Sequence, residues 1–337
     1  MSGDLELRSR PKLLTELIRL PSLTIFILFL LLGVIFTLLS PSYRLISLDN
    51  MAVYLGLGAE FNIVALAVGL LMITGEFDLS VGSIMVFCSF VVMKLVYAGV
   101  NIYLASAITL AIGAGIGYLN GFITVRARIP SFITTLGTMM FWRGVTVFWS
   151  EGLQKPFDTS TFGVFSKIFS DPVGGVVPVQ FLWFIGIAAI LWFLLHRRPL
   201  GNRIYVTGDN PLAARAMGIN TKAIKMGVFA LVGLVCSFVA IMQIARTGAF
   251  TSRAGDGWEL KSIAAAVVGG TALTGGIGSV AGIFWGALIV SLIENGLLVM
   301  RIPYFWTYTV FGVVIVGAAI LSAYMVKKRA GFGRESG

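Results

Sequence analysis

The stretch MAVYLGLGAEFNIVALAVGLLMITG, residues Met51–Gly75, decides the class of fold. It runs for 25 residues with one charge, Glu60, where roughly 20 apolar residues are enough for a helix to cross a bilayer. The same character returns at Pro21–Ser40, Val81–Tyr97, Ile102–Val125, Ser131–Trp149, Val179–Leu195, Ile224–Ala245, Val280–Met300 and Pro303–Val326. A Gly-rich stretch at Ile263–Leu273 makes a tenth candidate. The pattern predicts an all-α polytopic membrane protein, with about ten transmembrane helices in one bundle. Composition agrees: of 337 residues, 57% are hydrophobic and only 12% charged, about half the charged share of a soluble domain. A soluble enzyme is excluded, because so few charges cannot cover a water-exposed surface.

The net charge of +10 is explained by where the basic residues sit. With ten crossings, sixteen of the 25 fall on one side: the N-terminal arm (Arg8, Arg10, Lys12, Arg19), the turn with Arg126 and Arg128, the loop 196–225, and the tail (Lys327, Lys328, Arg329, Arg334). Seven fall on the other: Arg44, Lys155, Lys167, Arg246, Arg253, Lys261 and Arg301. The positive-inside rule then puts both termini in the cytoplasm, so the charge needs no nucleic acid. The expected organisation is a cytoplasmic arm 1–20, a transmembrane domain 21–326 and a cytoplasmic tail 327–337. An outer loop 149–178 and an inner loop 196–225 are the places where soluble partners dock. The arm shows no cleavage pattern and is expected to be retained. Cys88 and Cys236 lie in apolar spans and fit no metal or redox spacing.

Three segments between or beside the spans carry information. In the first, Ile73–Ser83, Asp78 and Ser80 stand just before an apolar run, a helix N-cap signal, and the reading is either an interfacial turn or a capped break lining a path. The second, Gly201–Asn220, predicts one short surface helix that starts at Asn210-Pro211 and ends at Gly218. The third, Glu259–Ser279, holds Gly269, Gly270, Gly275, Gly276 and Gly278. Its G-x-G-x-x-A match from Gly276 lacks the strand a dinucleotide site needs, and no G-x-x-x-x-G-K-[ST] occurs anywhere, so any ATP-driven work requires a partner. Glycines at every fourth position, Gly113, Gly117 and Gly121, and again Gly278, Gly282 and Gly286, mark close helix packing, within the chain or between subunits.

In this order the three segments resemble the membrane-spanning permease subunit of bacterial ABC importers for monosaccharides, of the ribose, xylose and arabinose type. That family shows I-x-G-G-I-D-L-S-V-G-S, then G-x-x-x-Y-A-x-G-x-N-x-x-A-A-x-x-x-G-I, then E-L-x-x-I-A-A-x-x-x-G-G-T-x-x-x-G-G-x-G-S. Arg143-Gly144 and Asn295-Gly296 are similar to it as well, and the likeness covers roughly residues 25–325. Glu76 and Phe77 depart from it where a glycine and an aliphatic residue are usual, and Asp209 stands where a glycine is common.

The resemblance implies a non-enzymatic transport subunit in a bacterial inner membrane, working with a cytoplasmic ATPase, an extracytoplasmic sugar-binding protein and a second permease chain, a homodimer. It carries no cofactor itself, ATP and Mg being used by the ATPase, and no metal. The candidate substrate pathway is Asn62, Phe77, Asp78, Ser80, Ser83 and Asn120. Coupling to the ATPase falls to Gly208, Asp209, Asn210, Pro211, Ala213, Ala214, Arg215 and Gly218, and hinge and packing roles to the five glycines of the third segment. Glu60, Lys94, Arg143, Gln243 and Glu294 are further polar groups at membrane depth, Lys94 and Glu294 near enough to span ends to snorkel. Trp258, Phe305 and Trp306 read as path residues or interfacial anchors. Alternatives are the same architecture carrying a nucleoside or branched-chain amino acid, or an ion-coupled carrier using Glu60, Asp78 and Arg143.

Overall fold

A computed structural model describes residues 21–158, 162–303, 305–314, 316, 317 and 320. The arm 1–20 and the tail 327–337, with their basic residues, lie outside the described residues. The helices are α1 (Pro21–Leu39), α2 (Leu48–Ile73), α3 (Val81–Tyr97), α4 (Ile102–Ala127), α5 (Ser131–Ser150), α6 (Val164–Phe169), α7 (Val179–Arg197), α8 (Pro199–Asp209), α9 (Pro211–Ala216), α10 (Thr221–Thr247), α11 (Trp258–Val268) and α12 (Val280–Val299). The described part of the last one, α13, is Phe305–Val314. Two short strands, β1 (Lys155–Pro156) and β2 (Ala249–Phe250), pair antiparallel across one end of the bundle. Among the described residues, α1, α2, α4, α7, α10 and α12 are long and apolar enough to cross a membrane.

The central helix is α2, buried along most of its length, while α1 lies at the edge with few of its residues fully buried. Glycine rows decide the closest contacts. A Cβ on Gly117 would stand 2.1 Å from the Phe229 carbonyl oxygen, and one on Gly233 2.1 Å from that of Gly113, so α4 and α10 touch backbone to backbone. On α12 a Cβ at Gly282 would meet the Gly269 oxygen at 2.1 Å and one at Gly286 the Ala265 oxygen at 2.2 Å, which draws α11 against α12. Both rows are therefore used up inside the chain. Dispersion and weak backbone contacts hold such pairs together where lipid supplies no hydrophobic drive.

Two elements differ from the sequence reading. The stretch Ile263–Leu273 is not one continuous span: α11 has 11 residues, or about 16 Å, half a crossing. It starts beside the middle of α2, where Trp258 meets Phe61 edge-on at 6.0 Å, and is followed by a non-helical break through the glycines. Before it, residues 249–257 dip into the bundle without helix: Phe250 packs on Phe90 and Gly255 on Gly82, eight residues along α3. Non-helical backbone at this depth needs internal partners. Arg143 supplies them, donating to the Ser252 and Ala254 carbonyl oxygens at 2.7 and 3.3 Å and pairing with Asp256 at 2.9 Å.

The inner loop also holds two helices in place of the expected one. Asn210 caps α9 by accepting the Ala213 amide at 3.0 Å, and Gly218, at φ +79°, follows it, as the sequence implies. Ahead of it, Gly201 and Gly208 make Pro199–Asp209 a poor helix by propensity. Tertiary packing overrides that: Ile204 and Thr207 are buried, and the missing Cβ of Gly201 lets α8 fold back on Leu195.

Candidate functional site: a polar cavity beside the half-helix

Where α11 begins, a cavity of about 360 Å³ opens between α2, α10, α11, α12 and α13. Small-molecule pockets start at roughly this size. Its polar wall is Glu60, Gln243, Arg246, Ser291, Glu294, Asn295 and Thr307, with Trp258, Phe61 and Tyr54 as aromatic surface. Glu60 is the thirteenth residue of the 26 in α2, while Arg246 and Leu298 stand near the last residues of α10 and α12, so the cavity runs from the middle of α2 toward one end of the bundle. Its carboxylate accepts two hydrogen bonds from Arg246, at 2.6 Å from Nε and 3.1 Å from Nη2. Glu294 accepts from Lys261 Nζ at 2.8 Å. Glu294 therefore pairs inward and does not snorkel, and Lys261, counted above among loop residues, is a buried member of α11. Lys94, by contrast, reaches over the Phe90 ring near its helix end. Asn295 is buried, yet its Nδ2 has no partner.

Asn62 sits next to this wall, its Oδ1 accepting from Ser291 Oγ at 2.6 Å. The remaining pathway candidates gather elsewhere. Asp78, Ser80 and Asn120 form one buried network: Ser80 gives both its amide (2.8 Å) and its hydroxyl (2.5 Å) to Asp78 Oδ1, and Asn120 Nδ2 donates to Ser80 Oγ at 2.8 Å, while Asp78 Oδ2 and Asn120 Oδ1 have no partner in the chain. Ser83 is buried on the first turn of α3. Ser80 holds the N-cap position of α3 without capping through its side chain; Asp78 turns back onto Ser80 instead. The amides of Phe77 and Leu79 are taken by Ser131 and Thr135 of α5. Glu76, the acidic departure, is paired with Lys225 at the start of α10. Of the aromatic candidates, Trp258 faces the cavity, while Phe305 and Trp306 are exposed.

The three sequence segments meet at one backbone junction. Gly276 donates its amide to the Ile73 oxygen at 2.9 Å. A Cβ on Gly208 would lie 1.9 Å from that oxygen and 2.6 Å from the Gly276 nitrogen, and one on Gly275 2.8 Å from Gly75 Cα. Gly275 and Gly276 adopt φ of +85° and +75°, open to glycine at little cost. Tyr205 of α8 adds a hydrogen bond to the Gly278 oxygen at 2.8 Å; burial pushes its hydroxyl up from the ordinary tyrosine range, keeping it a donor. So Gly208 faces the bundle, and the outward surface of the coupling set is Asp209, Asn210, Ala213, Arg215 and Gly218, with Ala214 buried.

Residues 50–319 match the family described as branched-chain amino acid transport system / permease component. The chain belongs to this permease family. It is 36% identical over 298 residues to the ribose import permease protein of Escherichia coli strain K12, covering 87% of this chain and 90% of that one. It is 33% identical over 264 residues to an autoinducer 2 import system permease protein of Escherichia coli strain SMS-3-5, with 77% and 74% covered. The corresponding autoinducer 2 permease of Yersinia pseudotuberculosis is 31% identical over 304 residues, with 88% and 82% covered. No solved structure matches the chain at comparable stringency. The permease is thus a multi-pass membrane transport component, not an enzyme.

The permease's wall residues were only partly visible in its sequence. Glu60, Gln243 and Glu294 stood out as polar groups at membrane depth, but Arg246 read as a loop cation, because its partner is 186 residues away. Ser291 and Thr307 gave no signal beyond being small polar residues in apolar spans.

Proposed function

We propose that this permease is the membrane-spanning subunit of an ATP-driven importer that takes a monosaccharide from an extracytoplasmic binding protein and passes it to the cytoplasm. The observation that carries this reading is a cavity in the bundle walled by amides, hydroxyls, two carboxylates, a guanidinium and a tryptophan in a chain whose relatives are import permeases. Those groups suit a polyhydroxylated cargo. In this reading the protein crosses a bacterial inner membrane ten times with both termini inside, α11 and its flanking extended segments together making the eighth crossing, and works as a homodimer. The ion pair supports this over an ion-coupled carrier, since both oxygens of Glu60 are engaged by Arg246.

The test is reconstitution of the permease with its neighbouring ATPase and binding protein in proteoliposomes. ATP-dependent uptake of a pentose or hexose is the expected result. Uptake of leucine or a nucleoside but no sugar rejects the cargo, and uptake by the permease alone on an ion gradient rejects the mechanism.

The ATPase docks on α9 and the residue after it, where Leu212 (76% exposed) and Met217 (64%) present apolar surface beside the exposed Arg215. Arg215→Glu is expected to leave membrane insertion intact and weaken ATPase binding. Co-purification of the two subunits measures this, and unchanged recovery removes α9 from the docking surface.

A further inference from the structure

We propose that the end of α7 is a binding site for one anionic phospholipid, whose phosphate is held by Arg197 and Arg198. The site stands apart from the cavity and does not depend on the cargo.

The end of α7 reads Trp192-Phe193-Leu194-Leu195-His196-Arg197, and Arg198 follows before α8 begins. Trp192 and Phe193 are 41% and 45% exposed on a helix long and apolar enough to cross the membrane, so the two rings look outward from the bundle. Aromatic side chains near a span end mark the level where hydrocarbon meets the headgroups. A cation at such an end ordinarily snorkels away from the hydrocarbon. These two do the opposite. The Arg197 guanidinium lies over the Trp192 ring, 5.6 Å from its centroid, and that of Arg198 over the Phe193 ring at 5.0 Å, so each is turned back along the helix to a residue five positions earlier. His196 stacks on Trp192 as well, with 5.6 Å between centroids.

What the patch lacks is an anion. Arg143 and Arg246 each have a carboxylate partner, whereas among the described residues neither Arg197 nor Arg198 has an ion pair or a hydrogen-bond acceptor. Two planar N–H forks are therefore open side by side. A phosphodiester matches such a fork, taking parallel hydrogen bonds from a guanidinium. It also lies at the level to which the rings draw the cations. Ile190, exposed one turn before Phe193, supplies apolar surface to an acyl chain. In the topology proposed above this end meets the inner leaflet, where anionic lipids create a negative surface potential. The ATPase also approaches this side, but cations folded back over rings toward the hydrocarbon are turned away from a soluble partner.

The experiment is native mass spectrometry of the purified full-length permease in detergent, titrated with phosphatidylglycerol or with phosphatidylcholine of the same acyl chains. Wild type is expected to retain one phosphatidylglycerol per chain more tightly than any phosphatidylcholine, and an excess of inorganic phosphate should not displace it. Arg197→Gln with Arg198→Gln should weaken that binding by about thirtyfold. Trp192→Leu, which removes the ring that places Arg197 and leaves the charge, should weaken it by about threefold. Arg126→Gln with Arg128→Gln, at two exposed arginines of another turn, removes the same charge and should leave the lipid bound. Equal retention of the two lipids by wild type overturns the site, and displacement by inorganic phosphate makes it a site for the free anion and overturns the lipid. So does an equal loss in the Arg126 and Arg128 variant, because bulk charge then accounts for the binding. If the Arg197 and Arg198 variant keeps its phosphatidylglycerol but no longer co-purifies with the ATPase, the patch belongs to that partner and the proposal falls.

Discussion

Arg246→Ala is expected to destabilise the protein by about 3–5 kcal/mol and to abolish uptake. The size of the effect comes from what is left behind. The Glu60 side chain is 2% exposed, and a buried carboxylate that has lost its ion-pair partner is costly. Removing both members should behave differently. In Glu60→Leu with Arg246→Leu, apolar side chains fill the same volume, and buried pairs replaced in this way are often neutral or stabilising. The double variant should recover most of the lost thermal stability but none of the uptake, because the cavity would have lost its carboxylate. Melting in detergent, monitored by the recovery of monodisperse protein, measures stability, and proteoliposome uptake measures function. If the double variant transports, the pair is only structural.

The second large effect is expected at the junction of the three segments. Gly208→Ala sets a methyl group 1.9 Å from the Ile73 carbonyl oxygen and 2.6 Å from the Gly276 nitrogen. Both are backbone atoms, so no side chain can swing aside, and overlap in a packed site costs on the order of 1–3 kcal/mol. Relief requires α8 to separate from the two breaks. If α8 carries motion from the ATPase to the breaks, that separation should uncouple the machine, leaving ATP hydrolysis in the assembled complex while uptake falls about tenfold or more. Gly115→Ala is the matched control, because a Cβ there meets nothing within 4 Å. It should hydrolyse and transport like wild type. Equal loss of hydrolysis and uptake in Gly208→Ala would make the junction a folding element with no part in coupling.

How far the fold could be read in advance followed from the length scale of each signal. Long apolar runs such as Met51–Gly75 need only local hydrophobicity, and they became helices at nearly the expected bounds. Gly117 and Gly282 announced close packing through their spacing, though not their partners, which are set by contacts across more than a hundred residues in one case and by a hairpin-like return in the other. The half-helix α11 was harder: Ile263–Leu273 is apolar enough to suggest a crossing, and only the buried glycines and the Arg143 clamp on residues 251–257 explain why the chain leaves the helix twice. Pro199–Asp209 was missed because its glycines argue against a helix that burial then enforces.

The candidate site was legible only in part for a similar reason. The resemblance directed attention to the contiguous motif around Asp78, a buried turn in which Ser80 holds Asp78 and Asn120 holds Ser80, set apart from the cavity. The cavity draws its polar wall from four helices scattered over some 250 positions, each contributing one to three side chains. No local pattern encodes such a set. What the sequence did offer was the cost of the individual groups: Glu60 and Asn62 at membrane depth require partners, and those partners, Arg246 and Ser291, lead to the cavity.

The claim on which the account turns is that cargo passes through this cavity in the core of the chain, and Ser291 offers the most direct test. In a chain carrying Cys88→Ala and Cys236→Ala, which removes both buried thiols, Ser291→Cys puts one thiol on the cavity wall. The measurement is its rate of labelling by a small membrane-impermeant thiol reagent, in reconstituted transporter that retains uptake, with and without the transported pentose. The account predicts that the thiol is labelled and that pentose slows the reaction in proportion to its occupancy. Labelling that proceeds at the same rate under saturating pentose, in protein that still transports it, would contradict the account.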